Sequence, residues 1–177
     1  EEPARGIRTH IASVGQTAGA AEEELWLGQA PSVRRMGRGT NADMRTAYDF
    51  WMPQMVMRRQ SDAPIASTFA AVHEPFCGDR FIKRVELLNL EPAGSHGVAL
   101  QVTHSGGTDT IITTLDESPY PQRITATGIR MKGRLGVVRQ VEGKPTAGWL
   151  FEGDELEADG LALALSTNRH TGRILEA

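Results

Sequence analysis

Cysteine is almost missing: Cys77 is the only one in 177 residues. That excludes an intrachain disulfide and any zinc site built from four thiolates. Its Cys-Gly setting reads as an incidental, semi-buried thiol in a turn. No apolar run approaches the ~20 residues that a membrane-spanning helix needs, and the chain does not open on a basic-then-apolar signal segment. An initiating methionine is absent too. The chain opens Glu1-Glu2-Pro3, and the expectation is a piece of a longer protein with any targeting signal upstream. Excess positive charge is lacking: 19 Lys and Arg face 22 Asp and Glu, a net charge of −3. Phosphate binding relies on a net or local surplus of cations. One basic cluster exists (Arg34, Arg35, Arg38), but no aromatic residues interleave it, so nucleic acid is not an expected partner.

Long amphipathic stretches of helical period are absent as well, while period-two patterns are plentiful. Val98, Leu100 and Val102 alternate with Ala99, Gln101 and Thr103, the mark of a strand with one face on a core. Ser105-Gly106-Gly107 makes a hairpin turn into the β-branched run Thr110 to Leu115. Leu135 to Val141 alternates again, Glu142-Gly143-Lys144-Pro145 turns the chain, and Ala147, Trp149 and Phe151 line one side of the next strand. The core is the expected place for Trp149. Asp159-Gly160 introduces a last apolar run, Leu161 to Leu165, and the acidic stretch Asp154, Glu155, Glu157 and Asp159 reads as a solvated loop.

The first half is less regular. His10 to Val14 and Leu25 to Gln29 read as strands around a small-residue loop, Gly15 to Ala21. Glu22, Glu23 and Glu24 suit a helix turn or a charged rim. Gly37 to Asp43 is polar and glycine-rich, as a loop is, and Tyr48 to Arg59 is extended around Pro53. Proline cannot donate to a central ladder, which puts that segment at an edge or a bend. Many short strands spaced by Gly and Pro turns describe an all-β, two-sheet antiparallel β-sandwich of about ten strands, with 1–177 as a single domain. With 40% hydrophobic residues and this length, roughly 70% of the unfolded surface can be buried.

Few residues suggest chemistry. There is no Gly-x-Ser-x-Gly elbow, and Gly37-Arg38-Gly39 lacks phosphate-loop spacing and a following helix. No acid pair stands out for glycoside hydrolysis. His96, His104 and Asp109 are close enough in sequence to be weighed as a metal site, but zinc needs three or four convergent ligands, and the preferred reading of His104 is a hydrogen-bonded rim residue. His10 and His170 have no identifiable partners. His73 and Glu74 are neighbours on a predicted strand, so their side chains point to opposite faces and cannot serve one substrate atom together. Glu74 is expected to anchor an arginine such as Arg58 or Arg84, and His73 to cap a loop or touch a neighbouring domain. Trp51, beside Pro53 and the Tyr48-Asp49-Phe50 triplet, is the tryptophan best placed for exposure and for stacking on a ligand.

Ser67-Thr68-Phe69-Ala70-Ala71-Val72-His73-Glu74-Pro75, followed by Phe81-Ile82-Lys83-Arg84-Val85-Glu86-Leu87-Leu88, resembles paired strands in the C-terminal β-sandwich region of heparinase II/III-like polysaccharide lyases. The likeness runs from about Leu25 to Leu165, is densest over Met57–Leu90, and resumes at Asp109-Thr110-Ile111-Ile112. Members of that family carry an α-helical toroid before the sandwich and cleave uronic-acid polysaccharides by β-elimination. The resemblance implies an acidic polysaccharide and an upstream helical catalytic domain as partners, no cofactor, and a periplasmic or extracellular setting. The family's catalytic Tyr, His and Asn or Arg come mainly from the toroid and the sheet facing it. No catalytic residue is therefore carried over, and His73 matches a motif position read as structural. Trp51, Arg58, His73 and Glu74 are the expected substrate-binding or domain-contact residues. A stand-alone carbohydrate-binding module is the alternative.

Overall fold

The computed structural model describes residues 8–18, 22–31, 51–93 and 97–165. Among them there is no helix, and twelve strands run in antiparallel sheets. The all-β, sandwich-like class expected from the alternation is the class found. Arg34, Arg35, Arg38, the Gly37–Asp43 loop, Tyr48, Phe50, His96 and His170 lie outside the described residues. The chain forms two compact units, residues 1–18 with 66–177 and residues 19–65.

The larger unit is built on one eight-stranded sheet. Its main order is β12 (Leu161–Ala164), β11 (Lys144–Ala158), β10 (Arg130–Val141), β8 (Gly107–Thr114), β7 (Gly97–His104), β5 (Ile82–Leu88). The short strands β6 (Leu90–Glu91) and β9 (Arg123–Thr125) pair with each other, and β9 joins the start of β10. Turn chemistry sets the registers. Ser105-Gly106 closes β7 onto β8 with His104 opposite Gly107. Glu142 and Gly143, at φ 52 and 78, close β10 onto β11 with Val141 opposite Lys144. Two consecutive positive φ values give a turn whose twist matches that of the flanking strands.

β10 and β11 bend over their own sheet. The register slips at Lys132/Gly133, and Gly133 faces Gly153. A Cβ on Gly153 would lie 2.7 Å from the Lys132 carbonyl oxygen and 2.8 Å from the Gly133 Cα, so only a residue without a side chain fits there. Beyond the bend, Met131 and Leu156 come down on Gly136, where a Cβ would meet the Met131 Sδ at 2.7 Å. One core results, shared by Ala99, Ile112 and Val138 from one layer and Leu90, Met131 and Leu156 from the other. Each of the larger side chains among them, once buried, contributes about 1.5–3 kcal/mol. Of the acidic stretch expected as a loop, Asp154, Glu155 and Glu157 are instead the end of β11, where Leu156 is wholly buried and pairs with Met131, and Asp159 lies in the turn that follows. At its margin Arg123 donates from Nε and Nη2 to the Asp116 carboxylate, 2.8 Å each, and from Nη1 to the Pro92 carbonyl.

The opposite face of this sheet meets a two-stranded ribbon, β1 (Arg8–Ala18) and β4 (Ala66–Phe76), paired from Arg8↔Phe76 to Ala18↔Ala66. Gly15 to Ala18, expected in a loop, continue β1. The smaller unit holds a second ribbon, β2 (Glu22–Pro31) and β3 (Trp51–Gln60). Glu22 to Glu24 are strand residues there, not a helix turn.

Candidate functional site

β4 alternates strictly toward its C-terminal end: Val72 is half-buried, His73 exposed, Glu74 buried, Pro75 exposed. The strand thus turns Glu74 inward and His73 outward, as their adjacency requires. His10 stands opposite Glu74 across the ladder. After β4 the turn through Gly78 brings back Arg80, whose Nε donates to Glu74 Oε2 at 3.1 Å. The Ile82 amide donates to Oε1 at 2.7 Å. Arg80 Nη2 lies 2.6 Å from His10 Nδ1, and a guanidinium has only donors to offer, so the ring nitrogen accepts. Burial works to raise the Glu74 pKa, but the Ile82 amide and the Arg80 guanidinium outweigh it, and the carboxyl titrates below its ordinary value. The partner of Glu74 is therefore Arg80, correcting the expectation of Arg58 or Arg84. Those two are taken elsewhere, Arg58 by Glu24 and Arg84 by Glu86. Arg80 was missed because it sits in a turn outside any alternating pattern.

A second cluster begins one residue later. Phe81 stacks on the His104 ring, centroids 4.6 Å apart and planes 19° off parallel. The Gly106 amide donates to His104 Nδ1 at 3.0 Å. His104 Nε2 lies 3.3 Å from Asp109 Oδ2, an ion-pair distance without hydrogen-bond alignment. Asp109 instead accepts both forks of Arg139, 2.8 Å each, and these bonds first, against the cost of burial, hold its carboxyl below the usual range. Arg139 in turn lies over the Trp149 ring, 5.7 Å from its centroid. His104 is thus buried beneath Phe81, not at the rim as expected. Of the histidine–aspartate group weighed for metal, His104 and Asp109 do meet, while His96 lies outside the described residues. No group of three or more metal-ligating side chains occurs among the described residues.

Between β4 and β7–β8 runs a groove of about 570 Å³. Val72, Val98, Leu100, Ile111 and Leu115 line it with Ser67, and its lining includes no titratable side chain. Cross-strand register carries this face outward: Ile111 stands opposite Val137 and Val137 opposite Trp149, Thr113 opposite Leu135 and Leu135 opposite Phe151. Leu115, Trp149 and Phe151 are 70%, 41% and 54% exposed. Trp149 is therefore at the surface, not in the core, because β4 covers only the β7–β8 side of the face. Cys77 is exposed as well, not semi-buried.

Trp51 and Arg58 belong to the smaller unit. Trp51 pairs with Pro31 at one end of the ribbon and is 52% exposed. Arg58 is at the other end, bonded to Glu24 at 3.3 Å and to Gln60, beside a Glu23–Arg59 pair at 2.5 Å. Between those ends neither Leu25–Pro31 nor Trp51–Met57 carries a charge. Trp26 and Val56 pair on one face, both more than half exposed, while Leu25 and Leu27 are exposed on the other. Seven positions apart on one strand, Trp51 and Arg58 face opposite sides. His73 and Glu74 are likewise divided, so within neither pair do the two side chains share a face.

The fold and site define the class of an all-β, sandwich-like protein. No protein-family model, curated protein or solved structure matches the chain. None of the described helices is long and apolar enough to cross a membrane, there being no helix among those residues.

Proposed function

We propose that this chain is the C-terminal β-sandwich region of a heparinase II/III-like polysaccharide lyase, a supporting module that is not catalytic by itself. The observation that carries the reading is the β2–β3 ribbon, apolar on both faces over its uncharged length. A two-stranded ribbon is marginal alone in water, and one with Leu25, Trp26, Leu27 and Val56 exposed has a surface suited to burial against another protein layer. The upstream helical region implied by the resemblance is the partner of that kind. Lipid is a poor substitute, because the open edges of a two-stranded ribbon leave backbone groups that hydrocarbon cannot satisfy.

The acid and base groups point the same way. β-Elimination at a uronic acid needs a base for the C5 proton, an acid for the leaving oxygen and neutralisation of the carboxylate, all convergent. Here Glu74 is engaged by Arg80 and Ile82, Asp109 by Arg139 and Asp116 by Arg123. The groove between β4 and the sheet offers alkyl and hydroxyl groups. An acidic glycan held by the parent would meet this module through exposed positions such as Trp51 and His73. The reading frame that encodes the chain tests the proposal. It predicts several hundred preceding codons with helical-hairpin periodicity, and a frame that starts at Glu1 overturns it.

A further inference from the structure

β11 has two halves with different neighbours. Glu155–Ala158 pair with β12, and the Leu165 amide adds one more bond to the Asp154 carbonyl. From Lys144 to Gly153 the strand pairs with β10 on one side only, among the described residues. That edge, without a neighbouring strand among the described residues, borders the exposed apolar face bearing Trp149 and Phe151. An open edge with apolar side chains is a template for another strand.

The sequence of this edge, Lys144-Pro145-Thr146-Ala147-Gly148-Trp149-Leu150-Phe151-Glu152, is complementary to itself when reversed. Pairing two copies antiparallel about Gly148 sets Lys144 opposite Glu152 at both ends. It sets Ala147 opposite Trp149, a small residue beside a large one, and Pro145 opposite Phe151. Opposite charges placed directly across a ladder stabilise it, and like charges do the reverse. A two-fold axis repeats each contact, which is what a closed dimer requires. Both Lys144 and Glu152 are exposed, and Glu152 already lies 3.0 Å from Arg134 in its own chain, leaving its second oxygen for a cation across the edge. The bend at Glu152, with φ 49, ends the pairing where the charges meet.

We propose that two copies of this chain associate through the Lys144–Glu152 edge of β11, joining their sheets and placing both Trp149 and Phe151 pairs on one continuous face. The proposal uses a different surface from the β2–β3 ribbon and stands or falls apart from the lyase reading.

Sedimentation velocity on the full 177-residue chain over a range of concentrations tests it. A reversible dimer is expected. Lys144→Glu and Glu152→Lys are each expected to weaken self-association by about tenfold or more, because each puts like charges at both ends, and tenfold corresponds to 1.4 kcal/mol. Mixing the two variants restores complementary pairs at both ends, and the mixture is expected to dimerise as the wild type does. Circular dichroism of each variant confirms that it is folded. A wild-type chain that stays monomeric at millimolar concentration overturns the proposal. So does a dimer indifferent to both swaps, as from an association elsewhere on the surface, or one that mixing the folded variants fails to restore.

Discussion

Glu74 is one buried carboxylate held by a backbone amide and a guanidinium, and its titration couples pH to stability. Its folded pKa lies below the ordinary 4.5, so near that value the unfolded chain binds more protons than the folded one. The contribution is fully present above the ordinary value and is lost as pH falls through the lower, folded one. Asp109, held down by Arg139, acts in the same direction. Glu74→Gln is expected to lower the urea midpoint at neutral pH and to make its decline on acidification shallower than in the wild type. Equal acid slopes in the two proteins would show that the carboxylate is not coupled in this way. The opposed directions of His73 and Glu74 were legible from adjacency on a strand. The partner of Glu74 was not, because a turn residue such as Arg80 acquires its position only when Gly78 reverses the chain.

Strands whose alternation is clean, β7 above all, and turns rich in glycine could be read directly, since side-chain period and positive φ are local properties. The bend in β10 and β11 could not, because Gly133 and Gly153 are twenty residues apart and look like any other glycine until register sets them face to face. For the same reason the acidic end of β11 resembles a loop: Leu156 is one apolar residue among carboxylates, and only the bend that brings it over Gly136 makes it core. Gly153→Ala places a methyl group against backbone on two sides. Overpacking of that kind costs about 1–3 kcal/mol. Gly136→Ala meets the far end of the flexible Met131 side chain first and is expected to cost less. Guanidinium denaturation of the two variants checks the order, and a Gly136→Ala protein less stable than Gly153→Ala would contradict the bend as described.

Across the whole molecule, sandwich-like architecture followed from composition and turn spacing, whereas surface and core were harder to separate. Trp149 alternates with Ala147 and Phe151 as a core residue does, yet nothing in the alternation records that β4 covers only part of the sheet. The expected site residues are divided for a related reason: Trp51 and Arg58 belong to one compact unit, His73 and Glu74 to the other, and within each unit the pair is split between opposite strand faces. What remains is a protein whose charged groups pair across its own strands and which exposes apolar side chains on β2, β3 and the Trp149–Phe151 face. The most direct test mixes the purified chain with heparin, heparan sulfate, alginate or hyaluronan and follows the ultraviolet absorbance of unsaturated products. The account predicts no increase with any of them. An increase that His73→Ala abolishes while the fold persists would contradict it and make the chain a compact lyase in its own right.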